Sequence, residues 1–341
     1  MHGWIKNFLT NRKQRVSVNG KFSSWETVTS GVPQGSVLGP VLFLIYINDL
    51  PEALDCALRL FADDTKLFST IKNVQDEEKL QGNIFNACEW ANKWQMIFNT
   101  NKCKTMHIGK DEQSDYFIKD KENKISKILV VEQEKDLGVI FDNKLLFDKH
   151  ISSKVKIANR NLGLISKNFI YLNNDMFLKL YKALVRPHLE YASVIWSPNF
   201  KKDARTIENV QRRATKMLKG LRDFSYPLRL KNLGLPTLEY RRSRADIVQV
   251  YKLINRIDST SVDLLGRGRP TVTRGHNKKI TKKRSRLNLR KNFFSNRIVN
   301  TWNKLPEEVV NAQSINAFKN RLNKYWTGET CENKFEAQCY K

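Results

Sequence analysis

The sequence predicts an α+β protein. Up to about residue 147 it is a string of short alternating segments punctuated by glycine, proline and asparagine. Beyond residue 148 apolar residues recur at three- and four-residue steps, which is helical spacing. With 40% hydrophobic and 10% aromatic residues among 341, the chain buries enough apolar surface to offset the entropy of ordering, which excludes a wholly disordered polymer.

The elements follow in order. Residues 13–30 hold two short strands around Asn19-Gly20, a hairpin signal. The loop Ser30-Gly31-Val32-Pro33-Gln34-Gly35 comes next. Ser36 then reads as an N-cap opening an apolar helix to about Ile47, with Pro40 near its first turn, where proline is tolerated. Ala57 to Phe68 reads as two apolar strands whose tight turn presents Asp63 and Asp64. From Asn73 to about Met96 the positions Leu80, Ile84, Ala87, Ala91 and Trp94 make a helical stripe. Short strands are expected around 103–108, 116–119, 125–131 and 137–141.

Past residue 147, Ile151, Val155, Ala158, Leu162 and Ile165 line one face of a helix. Phe177, Leu180, Tyr181 and Leu184 line another, ending near Pro187. Residues 203–219 and 238–256 are helices rich in arginine and lysine. The polar, basic and weakly periodic stretch 257–290 reads as a linker or flexible arm. A last helical piece spans 306–326, with Trp302, Phe318, Tyr325 and Trp326 as packing anchors. These changes divide the chain at 1–147, 148–200, 201–256, 257–290 and 291–341.

Composition narrows the function. Sixty lysines and arginines against 34 acids give +26, and residues 201–300 alone hold 27 bases and 7 acids. A single-sign excess this concentrated attracts polyanions, nucleic acid above all, with anionic membrane as the other candidate. The densest run contains Lys278, Lys279, Lys282, Lys283, Arg284 and Arg286, candidates for nucleic-acid contact; such a run also reads as a nuclear address. No apolar run reaches the roughly 18–20 residues that a membrane helix needs, and no leader peptide is visible at the N-terminus. Five cysteines without CxxC spacing and five scattered histidines argue against a disulfide framework or a zinc site. A reduced, intracellular protein is expected.

Two motifs could carry chemistry. The neighbouring carboxylates of Asp63 and Asp64 repel one another, which invites a cation. Magnesium takes hard oxygen ligands from one or two carboxylates together with substrate phosphates. Gly31, Pro33, Gln34 and Gly35 lie just ahead of a helix N-terminus. Glycine lets backbone approach a ligand there, and Gln34 offers both donor and acceptor.

Together these residues resemble a known family. Ser30-Gly31-Val32-Pro33-Gln34-Gly35-Ser36-Val37-Leu38-Gly39-Pro40, followed by Phe61-Ala62-Asp63-Asp64, is similar to the reverse transcriptases of jockey-like non-LTR retrotransposons. Asn99-Thr100-Asn101-Lys102 and Asp136-Leu137-Gly138-Val139 resemble the next two motifs in the family's order. Leu180-Tyr181, Val185 to Tyr191 and Trp302 to Pro306 resemble the region downstream of the polymerase core.

The resemblance implies that residues 1–147 are a partial polymerase palm, an antiparallel sheet with helices. It implies a thumb-like α-helical segment over 148–200 and a basic, mostly helical C-terminal region. Asp63 and Asp64 take the place of the catalytic pair that binds Mg²⁺, with Mn²⁺ as an alternative. Gly31, Pro33, Gln34, Gly35 and Phe61 take the template- and nucleotide-binding positions, and Phe61 stands where many reverse transcriptases have tyrosine. Lys102 takes the position of the catalytic lysine near the triphosphate, and Leu137, Gly138 and Val139 that of the primer grip. The implied partners are an RNA template, a DNA primer and deoxynucleoside triphosphates, in a nuclear or cytoplasmic ribonucleoprotein.

One departure bears on activity. The family's third metal ligand is an aspartate upstream of the glycine loop, and ahead of Asp49 this chain has a single acid, Glu26. The expectation is a C-terminal portion without fingers, first catalytic motif or endonuclease, inactive alone. A non-catalytic, nucleic-acid-binding remnant is the alternative.

Overall fold

A computed structural model of the chain describes residues 2–109, 114–258, 260, 264–266 and 275–327. Two compact units divide at Val131 and Glu132.

In the first unit, helix α1 (His2–Leu9) leads into two nested strand pairs. The outer pair is β1 (Lys13–Gln14) with β4 (Glu26–Thr27); the inner is β2 (Ser17–Val18) with β3 (Lys21–Phe22). Asn19 and Gly20 turn the inner pair, both with positive φ, as a tight hairpin demands. Helix α2 (Leu38–Ile47) is apolar on every side, yet of its ten residues only Gly39 and Ile47 are buried. It begins slightly later than a cap at Ser36 predicts. The Ser36 hydroxyl still accepts from Gly39 N at 3.0 Å, so the capping role holds.

Strands β5 (Ala57–Phe61) and β6 (Asp64–Phe68) form an antiparallel hairpin. Its inner face sets Leu58, Leu60 and Leu67 against Ile47, Leu50, Leu54, Ala87, Trp90 and Ala91. Helix α3 (Val74–Lys93) supplies the last three. It opens on Asn73, whose side chain accepts from Asp76 N at 2.9 Å. The remaining strands are β7 (Lys104–Thr105), β8 (Phe117–Lys119), β9 (Ile125–Lys127) and β10 (Leu129–Val130). β8 pairs β9 antiparallel, and β7 pairs β10 in parallel. Among the described residues every sheet is two-stranded. Of the antiparallel sheet expected for 1–147, the described residues form separate strand pairs, and one of them, β7 with β10, is parallel.

The second unit starts with β11 (Gln133–Asp136) and β12 (Val139–Asp142), a hairpin turned by Leu137 and Gly138. The expected strand at 137–141 is thus a turn plus one arm. Asp142 then accepts from the backbone N–H groups of Lys144, Leu146 and Phe147. That bend launches α4 (Asp148–Asn168), which buries Ile151, Val155, Ala158, Leu162 and Ile165, the predicted stripe. Val139 joins the same core, so the hairpin belongs with the helices and the unit boundary falls ahead of residue 147.

Helix α5 (Asn174–Leu180) runs through a π-helical turn, Tyr181–Val185, into α6 (Arg186–Glu190). The wider turn shifts the stripe. Phe177, Tyr181, Val185 and Leu189 are buried at four-residue steps, while Leu184, expected inside, is exposed. Pro187 does not end this run. It sits in the first turn of α6, where its missing N–H costs little.

Helices α7 (Ser193–Trp196), α8 (Lys201–Lys216), α9 (Tyr226–Leu233) and α10 (Leu238–Ile254) follow. Gly234 closes α9 in the left-handed region, and Thr237 caps α10 by accepting from Tyr240 N. Short helices α11 (Asn288–Asn292), α12 (Phe294–Arg297), α13 (Val299–Asn303) and α14 (Glu307–Val310) precede α15 (Ile315–Thr327). The helix expected over 306–326 is therefore two pieces. Trp302, Phe318 and Trp326 are buried as anchors, and Tyr251 stacks on Phe318 with ring centroids 4.2 Å apart.

The described part of 257–290 is not a free arm. His276 and Ile280 are buried, and Ile280 exchanges two hydrogen bonds with the Asn303 side chain. Residues 259, 261–263, 267–274 and 328–341, with Cys331 and Cys339, lie outside the described residues. Among the described ones Cys56, Cys88 and Cys103 are free, and no helix is long and apolar enough to cross a membrane.

Candidate functional site

The β5–β6 hairpin places the two aspartates. Cross-strand pairing runs from Ala57↔Phe68 to Phe61↔Asp64, leaving Ala62 and Asp63 as a two-residue turn. Ala62 adopts φ of 51°, unusual for a residue with a side chain. Strand alternation turns Leu58 and Leu60 inward and Arg59 and Phe61 outward. Asp63, Asp64 and Phe61 are all exposed at the tip, so two carboxylates and one ring face solvent together. Two adjacent hard-oxygen donors fit Mg²⁺, which readily keeps other positions for water or phosphate. Among the described residues no group of three or more His, Cys, Asp or Glu side chains gathers to hold a metal.

The glycine loop is built differently. Gly31 and Gly35 have φ of +76° and +80°, a region that penalises any side chain. The Arg12 guanidinium donates to Ser30 O at 3.2 Å and Gly31 O at 2.6 Å. The Ser36 hydroxyl donates to Pro33 O at 2.7 Å. A Cβ on Gly39 would lie 2.8 Å from Ser36 Oγ and 2.9 Å from Pro33 O, so the helix can close on the loop only at a glycine. Gln34 is exposed above this frame. Lys102 is exposed too, after a turn closed by Lys102 N donating to Asn99 O at 2.9 Å. Among the described residues no hydrogen bond joins loop, hairpin tip and Lys102.

The turn Leu137-Gly138, within the second unit, is held from two sides. Tyr191 donates its hydroxyl to Leu137 O at 2.9 Å. Gly138 has φ of +84°, and a Cβ there would lie 3.2 Å from Tyr191 Cε1. One residue past buried Val139, Ile140 N donates to His150 Nδ1 at 3.1 Å. The His150 ring packs on Trp196 with centroids 5.1 Å apart. Burial, reinforced by Lys154, lowers the His150 pKa to about 4, so the ring stays neutral and can accept. Of these supports, Tyr191 falls within a stretch that the sequence marks only as part of a motif, and Arg12 and His150 carry no local signal.

The basic run is partly structural. Lys278 donates to Asn255 Oδ1 at 3.2 Å, and its carbonyl accepts from Trp302 Nε1 at 2.8 Å. Lys278 and Lys279 are half-buried; Lys282, Lys283, Arg284 and Arg286 are exposed.

Residues 1–141 match the family model described as reverse transcriptase (RNA-dependent DNA polymerase). The chain is 26% identical over 230 residues to the Drosophila melanogaster protein named "Probable RNA-directed DNA polymerase from transposon X-element", covering 64% of the chain and 25% of that protein. It is 26% identical over 252 residues to the RNA-directed DNA polymerase from mobile element jockey of the same fly, covering 67% and 27%. The jockey protein of Drosophila funebris is 28% identical over 250 residues, with the same coverage. The chain thus spans about a quarter of the length of these relatives. No solved structure matches it. Residues 1–141 therefore carry a reverse transcriptase domain match, and the chain is homologous to RNA-directed DNA polymerases of jockey and related Drosophila mobile elements.

Proposed function

We propose that this chain is part of an RNA-directed DNA polymerase that copies retrotransposon RNA by two-metal nucleotidyl transfer. In this reading it supplies part of the palm and the thumb-like, basic helical region C-terminal to it. The observation that carries the reading is the exposed Asp63–Asp64 tip beside Phe61, inside the stretch that matches the reverse transcriptase domain. Asp63 and Asp64 would hold Mg²⁺, or Mn²⁺, which when bound neutralises triphosphate charge and stabilises the in-line displacement. Lys102 would place a cation at the leaving pyrophosphate. Gln34 on its glycine-bounded loop would face template or incoming nucleotide, and Leu137, Gly138 and Val139 would support the primer end. Template, primer and deoxynucleoside triphosphates are the partners this reading names, and a nuclear or cytoplasmic ribonucleoprotein its setting.

This polypeptide by itself is expected to be inactive. Its one acid ahead of Asp49 is Glu26, and the described carboxylates leave the pair without a third donor. Weakened metal binding removes several kcal/mol of transition-state stabilisation, and each ~1.4 kcal/mol is tenfold in rate. Primer extension with Mg²⁺ on an RNA template should give no product. Fusion to the upstream palm and fingers of a jockey polymerase should restore extension, and Asp63→Asn should abolish it. If the fused protein extends equally well with and without that substitution, the catalytic assignment is wrong. A second reading, nucleic-acid binding without chemistry, draws on the same lack of a third donor and on the basic second unit. It predicts binding by the chain alone together with a fusion that stays inactive.

A further inference from the structure

We infer that the outward face of α8, which no motif above includes, is a contact surface for the phosphate backbone of a nucleic-acid duplex. The inference rests on the nucleic-acid reading above and assigns it a place. Lys202, Arg205, Arg213 and Lys216 are exposed on α8. With Asn209 between them their spacing is three, four, four and three residues, which keeps them on one helix face. The row spans 14 residue steps, about 21 Å at 1.5 Å per residue. Lys219 and Arg222, both exposed, extend it past the helix end.

The acids of α8 lie off this row. Asp203 is half-buried, and Glu208 accepts from Leu238 N at 3.0 Å while pairing with the Tyr226 hydroxyl. The opposite face is committed to the core: Ile207, Val210 and Ala214 are buried. Gln211 is buried as well, bonded to the Tyr181 hydroxyl at 2.7 Å. The backbone that carries the row is therefore anchored, and it holds the cations' attachment points in register.

Two observations select the partner. An amphipathic helix that inserts in a membrane surface buries its apolar face in lipid; here that face is already inside the protein, which leaves charge alone to hold a membrane. Single-strand binders interleave their cations with aromatic rings on which bases stack. From Lys202 to Lys216 there is no aromatic residue. Exposed rings stand at the row's two ends, Phe200 under Lys202 and Phe224 past Arg222; a ridge of cations with no ring along its length suits backbone contact with a duplex.

The test measures binding of the full chain to a 30-base-pair duplex of arbitrary sequence, one of its single strands, and phosphatidylserine vesicles, each across a salt series. The variant is Lys202→Gln, Arg205→Gln, Arg213→Gln and Lys216→Gln together. A charge-matched control changes Lys93, Lys121, Lys124 and Lys144, exposed elsewhere, to glutamine. All eight positions are on the surface, and thermal melting verifies folding of both variants. Log affinity for duplex falls with log salt by about 0.9 per phosphate contacted. The α8 variant should flatten that slope by about three to four, and the control by less than one. Equal flattening by the control, an unchanged slope in the α8 variant, or an equal effect on the single strand overturns the α8 assignment while leaving nucleic-acid binding intact. Vesicle binding that falls in parallel overturns it in favour of membrane. A wild-type chain with no salt-dependent binding to either nucleic acid overturns both this inference and the reading beneath it.

Discussion

The two units solve the same burial problem to different degrees. In the second, the largest side chains are fully enclosed: Trp196, Trp302, Tyr181, Tyr251, Phe177 and Phe318 are all but inaccessible to solvent. In the first, the most apolar helix, α2, leaves Val41, Leu44 and Ile45 in solvent, with Ile45 69% exposed. Trp4, Phe22, Trp25 and Phe61 are exposed as well. Long helices bury a continuous stripe against one another, whereas two-residue strand pairs have no face large enough to cover. The basic helical unit thus encloses its largest side chains in two extended cores, although Ile170 and Tyr171 stay exposed. The unit with the aspartate pair holds its hairpin on a small core and leaves its apolar helix uncovered by the described residues.

That contrast can be broken, starting where the effect is largest. Trp302→Ala should cost about 3–5 kcal/mol in denaturant unfolding, because the indole is fully buried and also bonds the Lys278 carbonyl. A loss below about 1 kcal/mol would mean the second core is looser than described. His150 gives the next effect. Its folded pKa lies below the ordinary value, so between about 6.5 and 4 the unfolded chain binds a proton that the folded one refuses. Stability from this group is full above about pH 6.5 and falls as pH drops towards 4, by at most about 3 kcal/mol. Unfolding curves of wild type and His150→Gln should therefore converge as pH is lowered from about 7 to about 5; parallel curves would refute a neutral buried ring. Tyr191→Phe should cost about 1 kcal/mol through the lost bond to Leu137 O, visible as faster amide exchange around residue 138. Smallest of all, Leu44→Ser should change stability by less than about 0.5 kcal/mol while lowering binding of a hydrophobic dye. A large destabilisation there would show that α2 is covered in solution.

Much of this was legible in the sequence where one local rule suffices. The α4 stripe, the Asn19-Gly20 turn, the capping serine and the aspartate turn all follow from spacing or a single residue's chemistry. What escaped depends on distant partners. The π-turn after Leu180 moves the buried register by one residue, and nothing in Tyr181–Val185 announces it. The stretch 257–290 reads as a linker or flexible arm because the charge around it hides Ile280, whose place is set by Asn303. The supports of the candidate site escaped for the same reason. Arg12 reaches Ser30 and Gly31 across 18 and 19 residues, and Tyr191 reaches Leu137 across 54.

The contact between Gly138 and the ring of Tyr191 has a consequence for any attempt to redesign this turn. With φ of +84° a side chain at 138 is strained whatever surrounds it, and the phenol of Tyr191 crowds the same side, so this turn needs glycine at 138. Trimming residue 191 would relieve the crowding at 138 but not the backbone strain, and losing the ring would also surrender the hydroxyl gripping Leu137. The ring at 191 can be trimmed; the glycine at 138 cannot be replaced without strain.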